Sequence, residues 1–462
     1  METNQKLKFT EKLSYGIGGF PEAVNSIIAA FLTMFYTDSV GMAATAVGTM
    51  FLISKVFDGF SDLAAGALVD KTRTKWGKAR PWLLWMAVPT GISIALIFFV
   101  PQDASPTSKM IYAFLTYNLF TTVMYTITGI ARNALLPLMT QDQKERGSLS
   151  AFGMFFGLGA TVLGCSVTFP LIFKFGGNTK AWQTVFIIYG IITMVGLLLS
   201  FFWSKEYVVP VENEQKATPA KGVGFIEGLK LYFTNKYLLV ALVMTVLVNL
   251  AAQLPQNSQT YFYTYSMGDS LLTTSLNLVG LLPMLFSIVF LTGPMLGKFG
   301  KKKCMYIGAA GQIVAHILKG IAGVTGSVPL LAVFMAIGNL FVGFLTVPVA
   351  TLFADGIDYG EWKSNRRIDG MGASVTSFSQ KLSSGLAAAS VGWVLGLTGY
   401  VANQVQSAAT NTGIICLYSF VPAVILIVAM IFFKVTYHYD EIADQVISDL
   451  EERRKNRKCR SV

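Results

Sequence analysis

The sequence predicts an all-α membrane protein with twelve transmembrane helices arranged as two halves of six. Three observations carry this prediction. Of the 462 residues, 53% are hydrophobic and only 13% are charged, whereas soluble domains contain about 25% charged residues. The apolar residues form stretches long enough to cross a bilayer, which takes roughly 20 residues. The basic residues concentrate in alternate loops, which indicates a chain that crosses the membrane repeatedly.

Twelve apolar segments are candidates for transmembrane helices. A β-barrel is excluded because its strands would alternate with period two over about ten residues. The N-terminus is charged, no small-residue cleavage site follows, and the first apolar run continues as a long helix, so we expect no cleavable signal peptide. In chain order the segments lie at about 12–36, 43–69, 82–101, 109–138, 148–173, 181–203, 237–265, 271–296, 304–322, 328–354, 371–400 and 412–436.

Lysine and arginine are distributed unequally between the two sides of the membrane. When loops are alternated from the N-terminus, 29 lie on the side of both termini and only Lys109, Lys174 and Lys180 on the other. This positive-inside pattern predicts a multi-pass plasma (inner) membrane protein with both termini in the cytoplasm. The net charge of +11 then reflects topology and contact with lipid headgroups, and we expect no nucleic acid partner.

A long polar break near the middle of the chain predicts its domain organisation. We expect an N-terminal six-helix half at 1–203, a central cytoplasmic loop at 204–236, a C-terminal six-helix half at 237–437 and a cytoplasmic tail at 438–462. Parallel halves of this kind place a substrate site between them near the middle of the membrane. Whether a regulatory protein binds on the cytoplasmic side stays open.

The sequence has no pattern of catalytic or metal-binding residues. Its four cysteines lie far apart, and the two histidines, His316 and His438, cannot form a metal site alone. No nucleophile has a partner base at membrane depth. We therefore expect a transporter without a cofactor and not a membrane-embedded enzyme.

The second segment contains three ionisable residues on one face. Lys55, Asp58 and Asp62 have the spacing i, i+3, i+7. An ionisable side chain at bilayer depth costs at least about 2.5–3.5 kcal/mol, so each one requires a compensating role. Two carboxylates one turn apart repel each other and favour capture of a proton, Na⁺ or the Lys55 ammonium. Two interpretations stay open: cation coupling, and a neutralised ion network that holds helices together.

Three more charges lie inside apolar segments. Lys381 in the eleventh segment either meets Asp58 or Asp62 from the opposite half or extends to the interface. Arg132 in the fourth segment is suited to clamp a substrate carboxylate, but a gate residue and an ion-pair partner are equally good interpretations. Glu22 in the first segment either accepts hydrogen bonds from sugar hydroxyls or forms a structural ion pair.

Two charged loops on the cytoplasmic side are a candidate gate. Such loops can pair across the two halves in one state and separate in the other. The alternative is a pair of solvated loops that follow the positive-inside rule, although that rule does not require their acidic residues. The candidate gate residues are Asp70, Arg80, Asp355, Asp358, Glu361 and Arg366.

Five short motifs are spread along nearly the whole chain. They are Lys12 to Gly16 (KLSYG), Phe35 to Asp38 (FYTD), Phe57 to Asp62 (FDGFSD), Trp76 to Trp82 (WGKARPW) and Asp358 to Lys363 (DYGEWK). By these motifs the chain resembles the glycoside–pentoside–hexuronide:cation symporter family of the major facilitator superfamily, which includes melibiose permease. The resemblance implies a symporter that couples sugar uptake to H⁺ or Na⁺. An exporter or a sugar-sensing protein of the same fold is the alternative.

The resemblance also implies a cation site. Lys381 matches the family's lysine that links the cation and sugar sites, and Lys55 matches a basic residue of the same motif. Melibiose permease has Asn where this chain has Ser61, which leaves both H⁺ and Na⁺ open. The residues that the resemblance assigns to cation binding are Asp58, Ser61, Asp62 and Thr126.

The sugar-binding positions depart from melibiose permease. The positions that bind galactosides there are occupied here by Ala23, Gly129, Asn133 and Met154. The galactoside determinants are therefore absent, and Glu22 and Arg132 beside them are candidates to replace them, together with Tyr125 and Asn133. Arg132 makes an acidic sugar such as a hexuronide a candidate substrate, and a pentoside or another neutral glycoside is an equal one.

Overall fold

A computed structural model describes residues 7–207, 232–364 and 369–460, and these residues form no β-strand. Most of the predicted central loop, together with Arg366, lies outside the described residues. The α-helices are α1 (Phe9–Ile17), α2 (Phe20–Met34), α3 (Ala44–Lys71), α4 (Arg80–Leu96), α5 (Pro106–Asn118), α6 (Thr126–Met139), α7 (Gln143–Lys174), α8 (Thr179–Trp203), α9 (Lys236–Tyr261), α10 (Leu272–Phe286), α11 (Thr292–Thr325), α12 (Val328–Leu340), α13 (Val342–Ser364), α14 (Asp369–Leu397), α15 (Ala408–Ile415), α16 (Val421–Thr436) and α17 (Ala443–Arg460).

Several of these helices continue into wider π-helical turns. Such turns contain one extra residue, shift the register of the side chains that follow, and occur frequently at functional sites. The π segments of the described chain are Phe35–Ser39, Leu119–Tyr125, Phe262–Ser266, Ser287–Leu291 and Cys416–Phe420.

Twelve membrane-spanning segments follow from these helices. Eight stretches are long and apolar enough to cross a bilayer. One of them, Leu272–Thr325, contains two spans because the backbone leaves the helical conformation at Gly300, where φ is 74°. The remaining three are α3 and α14, which contain charged and polar residues, and α4, which has 17 residues. The predicted all-α fold with twelve transmembrane helices is confirmed.

The internal contacts divide the chain into two compact units. Unit 1 consists of Met1–Glu214, Gln256–Leu278 and Ala388–Ile414. Unit 2 consists of Gln215–Pro255, Val279–Ala387 and Ile415–Val462. Helices α9, α10 and α14 therefore contribute to both units. The domain limits drawn from the sequence stay a prediction.

Close helix packing builds the core of unit 1. Helix α4 packs along α8, α1 and α2 pack on α7, and α3 packs on α6. The α4–α8 contact is tight because two glycines face each other: a Cβ at Gly190 would lie 2.5 Å from the carbonyl oxygen of Gly91. Small residues allow this backbone approach in membranes, where van der Waals packing replaces the hydrophobic effect.

Unit 2 is organised around α11, which packs on α12, α13 and α16. The C-terminal helix α17 packs on α13 and is an integral part of this unit. Its Val446 and Leu450 are buried, and the indole of Trp362 donates a 2.8 Å hydrogen bond to Asp449. The predicted tail is therefore a docked helix, since its apolar residues have a face of unit 2 to cover.

Candidate cation and substrate sites

Asp58 on α3 is the most deeply buried of the predicted cation-binding residues. Its side chain is 3% exposed, and its Oδ2 accepts a 2.9 Å hydrogen bond from the Lys55 ammonium. Its Oδ1 accepts hydrogen bonds from the hydroxyls of Thr122 and Thr121, the latter at 3.4 Å. Lys55 also faces the ring of Tyr117 at 5.6 Å. A buried carboxylate is thus compensated by one cation and two hydroxyls, as a low-dielectric site requires.

The π segment Leu119–Tyr125 brings these hydroxyls to Asp58. In this wide turn the Thr126 hydroxyl donates to the carbonyl oxygen of Thr121, five residues earlier, at 3.2 Å. Sequence reasoning missed Thr121 and Thr122 because an α-helical register cannot predict where a π turn inserts its extra residue. The only sequence signal was the presence of three polar residues, Asn118, Thr121 and Thr122, inside an apolar segment.

The other predicted cation-binding residues have distinct places. Ser61 donates its hydroxyl to the carbonyl oxygen of Asp58 at 2.9 Å, within the continuous helix α3. Asp62 is half-buried one turn further along α3. Thr126 is buried, with its hydroxyl directed to the backbone of Thr121. Their roles in holding a cation stay predictions.

A cavity of about 490 Å³ lies within unit 1. This volume is in the range of small-molecule sites, about 300–1,000 Å³. Three of the four positions that bind sugar in melibiose permease line it here, namely Ala23, Asn133 and Met154. The predicted substrate residues Glu22 and Arg132 line the same cavity. The structure thus brings together residues from the first, fourth and fifth spans that the sequence predicted separately.

Arg132 and Glu22 form an ion pair on the wall of this cavity. The Arg132 Nη1 lies 2.6 Å from Glu22 Oε2, and its Nε donates a 3.3 Å hydrogen bond to the carbonyl oxygen of Tyr15. The guanidinium also lies over the Tyr15 ring, 4.9 Å from the centroid. Of the alternatives that the sequence left open for both residues, the ion pair is the one present in this conformation.

The remaining substrate and coupling candidates lie elsewhere. Tyr125 ends the π segment of span 4 and is half-buried. Lys381 lies on the part of α14 that belongs to unit 2, half-buried between the buried Ser379 and Ser383. Ser383 donates a 3.2 Å hydrogen bond to the carbonyl oxygen of Val246 in the same unit. The predicted meeting of Lys381 with the α3 carboxylates stays a prediction.

Two of the gate candidates, Arg80 and Asp355, have partners inside their own units. Arg80 donates a 2.8 Å hydrogen bond to the carbonyl oxygen of Phe201 in unit 1. Asp355 accepts hydrogen bonds from Lys301 and, at 2.8 Å, from Tyr437 in unit 2. Asp358 and Glu361 follow on the same helix, α13. The Asp70 side chain and Arg366 lie outside the described residues, and the role of all six as a gate stays a prediction.

The described fold and its intramembrane charges define a class of protein, the secondary transporters of the major facilitator superfamily. A family model described as MFS/sugar transport protein matches residues 14–441. The chain belongs to this family and, within it, to the glycoside–pentoside–hexuronide:cation symporters. It is a multi-pass membrane transporter and not an enzyme.

Individual relatives align with this chain along nearly its whole length. The isoprimeverose transporter of Lactiplantibacillus pentosus is 32% identical over 96% of this chain and 92% of its own. The glucuronide carrier protein homolog of Escherichia coli (strain K12) is 30% identical over 98% and 97%. A solved D-xylose-proton symporter aligns with a TM-score of 0.64 over 93% of this chain and 98% of its own, at 16% identity, which shows the shared fold alone. Other relatives, at 29% identity, have names that describe exporters.

Proposed function

We propose that this protein takes up a small sugar together with a cation, H⁺ or Na⁺, by alternating access. The observation that carries the proposal is the burial of Asp58, whose carboxylate lies inside a membrane span with Lys55 as its internal counter-ion. Intramembrane ionisable residues of this kind mark ion pathways and proton relays in transporters. The sugar follows from the family and from a relative named as an isoprimeverose transporter.

Coupling arises because Lys55 and the transported cation compete for the carboxylates of Asp58 and Asp62 on α3. Lys55 supplies one positive charge for the two carboxylates of Asp58 and Asp62, so these three side chains together have a net charge of −1. One monovalent cation makes this group neutral and removes the repulsion between the acids. Carboxylate and hydroxyl oxygens are hard ligands that suit Na⁺, and either carboxylate can instead take a proton.

Span 4 connects the cation site to the cavity. Thr122, at the Asp58 carboxylate, and Arg132, in the cavity wall, are ten residues apart on this span. At 1.5 Å per residue this is about 15 Å along the helix. A cation that changes the contacts of the π segment at Thr122 therefore acts on the same helix that presents Arg132 to the substrate.

The direct test is uptake into vesicles that contain the purified protein, under an imposed pH or Na⁺ gradient. The panel consists of neutral pentosides and hexosides and of hexuronides. We expect accumulation of at least one sugar against its gradient with one of the two ions. Asp58→Asn and Asp62→Asn should each reduce accumulation more than tenfold, because the carboxylate that the cation neutralises is gone.

Asp103→Asn is the matched control, because it removes an exposed carboxylate from the loop before α5. It should leave accumulation within twofold of the wild type. Accumulation that persists in Asp62→Asn would contradict the proposed coupling site. Sugar efflux driven by an inward cation gradient would instead identify the exporter, and sugar binding without any flux would identify the sensor.

A further inference from the structure

In the cavity of unit 1, the Glu22 carboxylate is accessible to a ligand, whereas the guanidinium of the neighbouring Arg132 is buried. The Glu22 side chain is 36% exposed, whereas that of its partner Arg132 is 9% exposed. The other polar groups on the wall include Ser26, Asn133 and Ser150, none of which is charged. A ligand in the cavity therefore meets the oxygens of Glu22 as the most accessible charged group.

Arg132 is held in this place from several sides. Besides Glu22, its guanidinium contacts the carbonyl oxygen and the ring of Tyr15. Two glycines leave the space that it occupies: a Cβ at Gly153 would lie 2.7 Å from its Nη2, and a Cβ at Gly19 would lie 3.2 Å from its Cζ. A guanidinium fixed by an acid, a carbonyl and an aromatic ring is not available to clamp a second carboxylate without first losing these partners.

The charge of the pair also disfavours an anionic ligand. Arg132 and Glu22 neutralise each other, so the pair adds no net charge that would attract an acid. A ligand carboxylate beside the exposed Glu22 oxygens would be repelled, and at partial burial this repulsion is stronger than in water. Sugar hydroxyls are the complementary groups, because a carboxylate accepts short, charge-assisted hydrogen bonds from them.

We infer that this cavity binds an uncharged sugar, that Glu22 accepts hydrogen bonds from its hydroxyls, and that Arg132 is a positioning residue that orients Glu22. The inference rests on the proposed function and narrows it from any glycoside, pentoside or hexuronide to the uncharged ones. It assigns selectivity to a pair of residues on the first and fourth spans.

The test compares two probes that differ only at carbon 6, 4-nitrophenyl β-D-glucoside and 4-nitrophenyl β-D-glucuronide, with the matching xyloside as a neutral pentoside. Binding is measured by calorimetry on the purified protein in lipid nanodiscs, for the wild type and for Glu22→Gln. We expect the wild type to bind at least one neutral probe at least tenfold more tightly than the glucuronide.

Glu22→Gln should weaken the binding of the neutral probe by about 10- to 100-fold, because a hydrogen bond to a charged group is lost. The same change removes the Glu22 carboxylate that pairs with Arg132. The ratio of the affinity for the glucuronide to the affinity for the neutral probe should therefore rise. This ratio does not depend on the fraction of protein that is folded. Glu452→Gln, an exposed acid on α17, should leave both affinities unchanged.

The outcomes separate this inference from the proposed function. Glucuronide binding by the wild type as tight as that of every neutral probe would overturn the inference, while uptake of the glucuronide with a cation would leave the proposed function standing. An unchanged affinity ratio in Glu22→Gln would also overturn the role of Glu22. If no sugar of the wider panel binds or moves under either gradient, both fail together.

Discussion

The phenol of Tyr400 donates a 2.6 Å hydrogen bond to the carboxylate of Asp38, which lies 362 positions earlier in the chain. Tyr265 donates to the other carboxylate oxygen, and Asn403 donates a 2.9 Å hydrogen bond to the Asp38 carbonyl oxygen. The Thr37 hydroxyl completes this Asp38 cluster, 2.6 Å from the carboxylate. All five residues belong to unit 1, at the end of the first span that lies away from the N-terminus.

The Asp38 cluster should restrict access to the cavity from the membrane face opposite the N-terminus. Alternating access requires the contacts that close one face to break when that face opens. Tyr400→Phe removes one charge-assisted hydrogen bond, worth about 1.5–3 kcal/mol. We expect labelling of a cysteine placed at Ser26 by a membrane-impermeant maleimide from that face to become several-fold faster.

Tyr112→Phe provides the control for this labelling experiment, in a background without the native cysteines. Tyr112 donates its hydroxyl to the carbonyl oxygen of Leu96 in the same unit and has no contact with Asp38. In Tyr112→Phe, the cysteine placed at Ser26 should be labelled at the same rate as in the parent, which has this cysteine but neither tyrosine substitution. Equal rates for Tyr400→Phe and the parent would show that the Asp38 cluster does not control access.

Thr122 should determine the cation affinity of the transporter. Its hydroxyl holds Asp58 Oδ1 in place, so Thr122→Val, which keeps the shape and removes the hydroxyl, should raise the cation concentration for half-maximal uptake by about tenfold or more. Thr122→Ser should restore it to within about twofold of the wild type. Thr116→Val is the control, because the Thr116 hydroxyl donates to the carbonyl oxygens of Tyr112 and Ala113 in its own helix. A wild-type cation dependence in Thr122→Val would exclude this role.

Gly153 should be needed for the position of Arg132. The Cβ of Gly153→Ala would lie 2.7 Å from Arg132 Nη2 and 3.1 Å from the Tyr15 ring. The guanidinium must therefore shift, which disturbs its contact with Glu22, and we expect neutral sugar binding to weaken at least several-fold. Gly159→Ala on the same helix meets no atom within 4 Å and should bind as the wild type does. Equal affinities for the two variants would disprove the positioning of Arg132 by Gly153.

Glu206 should stabilise the end of unit 1 at which α4 begins. Its carboxylate accepts hydrogen bonds of 2.8 to 2.9 Å from the backbone N–H groups of residues 78 to 80, where α4 starts. An acid at a helix N-terminus satisfies unpaired donors and complements the helix dipole. Glu206→Gln should lower the thermal unfolding midpoint of the detergent-solubilised protein by several degrees.

The control for this unfolding measurement is Glu452→Gln, which should leave the midpoint unchanged. The neighbouring Tyr207 donates its hydroxyl to Glu11 at 2.5 Å, and burial raises the pKa of Tyr207 to about 12. This phenol therefore stays protonated and keeps donating well above neutral pH. A stability loss at pH 9 equal to that at pH 7 is expected for Glu206→Gln, since the Tyr207 phenol stays protonated over this range.

Much of the candidate cation site could be predicted from the sequence, since one helical face sets the spacing of Lys55, Asp58 and Asp62. The partners of Asp58 on span 4 could not. The resemblance implies Thr126, whereas the hydroxyls that bond to the Asp58 carboxylate, beside the π turn, are those of Thr121 and Thr122. The position of such a turn depends on packing against α3 and α4, and local sequence does not encode it.

The sequence by itself determined the twelve helices, the membrane as solvent and the family, because hydropathy and charge act locally along the chain. Only the tertiary structure decided which charges meet. Glu22 and Arg132 are 110 positions apart and Asp38 and Tyr400 are 362 apart, and local sequence does not pair residues at such distances. Pairing depends on helix orientation and on space left by residues such as Gly153, which are properties of the folded chain.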